Sequence, residues 1–116
     1  MDIIDFKDIY TNFMTTEVFA EAVEALGFRI LTDRGIDKLR IVAPYGEDGE
    51  KEALVAMVDT RQRYKVLIYW DEFKNVLCQD GWTDDGEIKL ADKLYTLLYL
   101  YGMTPEEYRG GRLPNE

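Results

Sequence analysis

Ala53-Leu54-Val55-Ala56-Met57-Val58, Thr60-Arg61-Gln62-Arg63 and Tyr64-Lys65-Val66-Leu67-Ile68-Tyr69-Trp70 read, in that order, as a strand, a polar turn and a second strand. The first piece is almost wholly apolar. The last is rich in β-branched and aromatic residues, which suit a pleated, half-buried surface. This hairpin is the expected centre of a sheet. Upstream, Phe28-Arg29-Ile30-Leu31-Thr32 and Lys38-Leu39-Arg40-Ile41-Val42 read as two more strands, joined by a turn at Asp33-Arg34-Gly35-Ile36-Asp37. Pro44 is expected to end the second of these by removing a ladder donor. Four consecutive strands with short connections predict an antiparallel meander.

Helical spacing flanks the strands. Apolar residues at 3, 6, 9/10 and 13 predict a first helix, and Thr15 or Thr16 offers an N-cap for a second over Glu17 to Leu26. Its expected apolar face is Val18, Phe19, Ala22, Val23 and Leu26, and Gly27 is a natural stop. After Trp70, the spacing of Phe73, Val76 and Leu77 fits a short helix better than a fifth strand, with the strand left open as the alternative. Gln79 to Gly86 reads as a loop. Asp84 followed by Glu87 resembles a capping box for a long helix over Glu87 to Tyr101, ended by Gly102. Thr104-Pro105-Glu106-Glu107 then reads as an N-cap, N1 proline and N3 glutamate for a last short helix. The expected fold class is α+β: N-terminal helices, a four-stranded antiparallel sheet, and C-terminal helices packed on it. One domain is expected over residues 1–116.

Composition restricts function more than it defines it. The chain has no histidine and one cysteine, Cys78. Standard triads and the usual zinc sites are therefore excluded, and Cys78, beside Val76 and Leu77, reads as a structural thiol. The acidic group Asp80, Asp84, Asp85 and Glu87 fails as an EF-hand. Counted from Asp80, Trp82 falls at the third position and Asp85 where glycine is required. The Pro44–Glu50 loop contains glycine but lacks the lysine and hydroxyl of a phosphate-binding loop. No metal or cofactor is expected, and the chain reads as non-enzymatic. A lone cysteine, an acidic start without a secretory signal and the absence of a spanning apolar run predict a cytoplasmic setting with no membrane contact.

The net charge is −9, from 23 acids and 14 bases. Direct binding to nucleic acid needs the opposite sign, so a protein partner with a basic surface is the better fit. Glu17, Glu21 and Glu24 share one helix face. Glu47, Asp48 and Glu50 form one acidic loop, and Asp80, Asp84 and Asp85 another. Tyr99 sits at the border of the long helix's apolar arc, where tyrosine suits a binding surface. These residues are the expected partner-binding set. In size, charge and α+β pattern the chain resembles the small acidic inhibitors of phages and mobile elements, the anti-restriction and anti-CRISPR proteins. That resemblance lies in composition, without a shared motif. It implies an inhibitor that occupies a partner's nucleic-acid-binding site by mimicry, the partner being a nuclease or a similar protein. The alternatives are an immunity, adaptor or assembly protein, and last a small enzyme or cation-binding domain. A sheet edge that pairs with a second copy stays open.

Overall fold

A computed structural model describes residues 14–32, 37–78, 83–84 and 87–110, with 83–84 and 87–88 placed by backbone alone. The helical spacing at 3–13 and the turn at 33–36 lie outside the described residues. The elements are α1 (Thr16–Ala25), β1 (Arg29–Thr32), β2 (Lys38–Tyr45), β3 (Lys51–Asp59), β4 (Val66–Ile68), α2 (Trp70–Leu77), β5 (Thr83–Asp84), β6 (Glu87–Ile88) and α3 (Leu90–Met103). Short 3-10 turns occupy Glu47–Gly49 and Glu106–Tyr108. The class is α+β. The main sheet runs β1-β2-β3-β4, antiparallel throughout, and β5 pairs with β6 in a separate small ribbon.

Local chemistry accounts for the first helix. The Thr15 hydroxyl accepts the Val18 N–H at 3.1 Å, satisfying one orphan donor of α1. Gly27 follows its end with φ 101°, a conformation that only glycine takes without strain. The buried face is Thr16, Phe19, Ala20 and Val23. Val18, expected inside, is exposed. The stripe is rotated because α1 has to meet both β1 and α3.

Several expected boundaries move. Pro44 does not end β2: it lies within the strand, opposite Glu52. β1 reaches only as far as Val42, so beyond that residue β2 has a free side, and there a missing N–H costs no ladder bond. A bulge follows Ile41, where Ala56 faces Ile41 but Leu54 faces Val42, leaving Val55 as the extra residue. β4 is only three residues long. Trp70, expected to end it, begins α2, and the Phe73 N–H bonds the Tyr69 carbonyl at 2.8 Å. The pattern Trp70, Phe73, Leu77 has helical period, and it outweighs local β propensity.

The long helix starts at Leu90, because Glu87 and Ile88 pair with Asp84 and Thr83 in the ribbon instead. The capping box at Asp84 is therefore not formed, and the expected loop holds two short strands. Gly102 is no terminator either. It is buried inside α3, where a Cβ would come within 2.8 Å of Val66 Cγ2. It serves close approach of helix to strand. Thr104 caps no following helix: its hydroxyl donates back to the Leu100 carbonyl at 2.9 Å and accepts the Met14 N–H at 3.1 Å.

The helices lie on one face of the sheet. Phe19 and Val23 of α1, Phe73 of α2, and Leu94, Leu98 and Tyr101 of α3 are buried with Ile30, Leu39, Ile41 and Val58. Each such side chain contributes about 1.5–3 kcal/mol of transfer free energy. The opposite face carries the cross-strand row Leu31, Arg40, Met57 and Leu67, of which Leu67 is exposed.

Candidate partner-binding surfaces

Glu17, Glu21 and Glu24 are all exposed, on the side of α1 away from Phe19, Ala20 and Val23. Among the described residues none of the three has a cationic partner. Two preferences oppose the arrangement. Glu17 and Glu21, one turn apart, repel by about 0.2–0.5 kcal/mol. Glu24 sits in the last turn, against the negative end of the helix dipole, with no basic residue there to offset it.

Glu47, Asp48 and Glu50 are exposed on the β2–β3 connection. Gly46, Asp48 and Gly49 all take positive φ there, and aspartate tolerates that region better than most residues. Arg29 pairs with Val42, and the Arg29 guanidinium reaches Glu52 at 2.6 Å. The acidic loop therefore projects from the end of the sheet where α1 finishes, nearest Glu24, whereas Glu17 lies at the start of α1, beside the Thr16 contact with Arg109. Asp80 and Asp85 lie outside the described residues, and Asp84 is placed by its backbone in β5.

Tyr99 does not join this group. α1 packs over β1, at one edge of the sheet, whereas Tyr99 faces β4 at the other. There it lines an apolar groove of about 360 Å³, with Val66 and Ile68 as floor and Tyr64, Tyr95 and Met103 as walls. Tyr64 is 67% exposed and holds φ 69°, a left-handed conformation that costs a non-glycine residue about 1–3 kcal/mol. Its N–H bonds the Gly102 carbonyl at 2.8 Å, and the Arg63 guanidinium lies 4.7 Å from its ring centroid. Arg63 in turn bonds the Met103 carbonyl through Nε at 2.6 Å. The Arg63 N–H binds the Glu106 carboxylate and holds it below the usual glutamate range.

Sequence reading passed over Arg109. The residue is 3% exposed, and its guanidinium is held by carbonyl oxygens rather than a carboxylate: Asp59 at 2.7 Å, Thr104 at 2.9 Å and Tyr101 at 3.1 Å. The Tyr101 carbonyl, which also accepts the Thr104 N–H at 3.0 Å, and the Thr104 carbonyl lie at the negative end of α3, so the cation is stabilised by the dipole. It also lies 4.4 Å from the Tyr101 ring centroid, and that ring stacks on Phe19 at 4.4 Å. The Arg109 carbonyl accepts the Thr16 N–H at 2.8 Å, and the Tyr101 and Thr16 hydroxyls meet at 2.7 Å. Burial pushes the Tyr101 hydroxyl above its ordinary pKa, against the opposing pull of Thr16 and Arg109. Burial likewise raises the Cys78 thiol, opposed by Lys74.

Among the described residues no group of three acidic or cysteine side chains is placed to hold a metal ion, and no helix is long and apolar enough to cross a membrane. Comparison with protein-family models, curated proteins and solved structures finds no match to this chain.

Proposed function

We propose that the chain is a non-enzymatic protein-binding module that sets an acidic surface into the basic, nucleic-acid-binding site of a partner protein. The surface is Glu17, Glu21 and Glu24 with Glu47, Asp48 and Glu50. One observation carries the reading: the α1 carboxylates are exposed and unpaired among the described residues, with Glu17 and Glu21 one turn apart against the like-charge preference and Glu24 against the dipole of the same helix. A face serving only hydration has no need of that arrangement. Carboxylates one helical turn apart, about 5–6 Å at Cβ, present a row of acceptors to arginine and lysine side chains. The net charge of −9 adds long-range steering toward such a site.

The test compares the native chain with Glu17→Lys/Glu21→Lys/Glu24→Lys in capture from a host lysate, at low and moderate salt. The expected capture is a nucleic-acid-binding protein that is released as salt rises, displaced by DNA or RNA, and missed by the reversed variant. Equal capture by a folded reversed variant overturns the assignment.

A further inference from the structure

The Asp59 N–H bonds the Lys65 carbonyl and the Tyr69 N–H bonds the Val55 carbonyl, each at 3.0 Å. In an antiparallel ladder this turns the peptide groups of 65, 67 and 69 toward β3 and those of 66 and 68 outward. The Val66 N–H closes on the Tyr64 carbonyl at 3.1 Å. Among the described residues the Ile68 N–H and carbonyl are left without a partner, as an open ladder site on an edge strand. Grooves flank this edge on both faces. The one toward α3 is apolar, floored by Val66 and Ile68. The other, of about 300 Å³, lies over Met57 and Leu67 on the helix-free face, with Lys38 and Lys65 at its rim.

Neither lysine makes an ion pair among the described residues. Asp59, the acid in the same groove, has its carboxylate turned to the N–H groups of Arg61 and Gln62, at 2.8 and 3.1 Å. The groove is therefore locally basic on an acidic protein. We infer that the free edge of β4 docks an extended segment of a partner protein, apolar at the position that turns toward α3 and acidic at the next, which turns toward Lys65, with Lys38 farther across the same face adding to the positive field. An added strand alternates its side chains between the two faces of a sheet, so main-chain bonds supply attachment and the two grooves supply selection. The site is at the opposite edge of the sheet from α1, so it stands or falls separately from the acidic surface.

The test uses synthetic heptapeptides followed by amide NMR shifts on the full chain. One alternates leucine with glutamate, one alternates leucine with lysine, and one carries a central proline that removes the ladder donor. The glutamate peptide is expected to shift the Ile68 amide and to bind about tenfold more tightly than the lysine peptide, with the proline peptide failing. Lys38→Glu/Lys65→Glu, both exposed positions, is expected to invert the preference. Equal affinity for the two charged peptides, shifts confined to other residues, or no shift at millimolar peptide overturns the inference. So does a shift at 66–68 that depends on protein concentration alone, which assigns the edge to a second copy.

Discussion

Tyr99 and Tyr101 are two residues apart on one helix and belong to different parts of the protein. Tyr101 is fully buried, stacked on Phe19, bonded to Thr16 and set beneath Arg109. Around it the described buried polar side-chain atoms are all satisfied. Tyr99 is 56% exposed on the rim of a groove whose other aromatic walls, Tyr64 and Tyr95, are exposed as well. One region spends its aromatic surface on cohesion and the other leaves it facing solvent. Tyrosine content alone therefore does not mark a binding surface; the side of the helix decides.

The contrast breaks most directly by truncation. Tyr101→Ala is expected to cost about 4 kcal/mol in chemical denaturation, as for other buried aromatics. Tyr99→Ala is expected to stay within about 0.5 kcal/mol. Comparable losses would mean that the groove is part of the core. Next in size is Arg109→Lys. An ammonium keeps the charge but cannot reach as many carbonyls from one plane, so about 2 kcal/mol is expected, read as a shift in denaturation midpoint. The smallest effect is on the alkaline side. Because the folded Tyr101 hydroxyl titrates above its ordinary value, its contribution is complete below the unfolded value and is lost as pH climbs through the folded one. Tyr101→Phe is expected to flatten that alkaline decline in thermal midpoint, and Tyr99→Phe to leave it unchanged.

Strand order was legible because alternation, β-branched residues and short connections agree along 28–70. The cap at Thr15 and the stop at Gly27 are local and were equally readable. Trp70 and the Asp84–Glu87 pair were misplaced by local pattern, but the other misplacements depend on a neighbour far along the chain. Pro44 is tolerated because β1 has already ended. Gly102 is selected by Val66, and Thr104 by Met14 and Leu100. The three exposed glutamates of α1 follow from helix periodicity, whereas separating them from Tyr99 requires knowing which edge each helix covers. Arg109 carried no signal, since an arginine before two glycines reads as a solvated tail. Only the convergence of carbonyls from 59, 101 and 104 makes it a core residue.

That convergence bears on when the chain can fold during synthesis. Residues 16–59 contain α1 and the three longer strands, which emerge early, yet the Thr16 N–H and hydroxyl wait for partners at 109 and 101. Until residues 101 and 109 clear the ribosome, the start of α1 has its Thr15 cap but no tertiary anchor. Synthesis proceeds at about 5–20 residues per second, so that interval lasts for seconds in every nascent copy. Arg109 thus acts as a latch set only after translation has passed it.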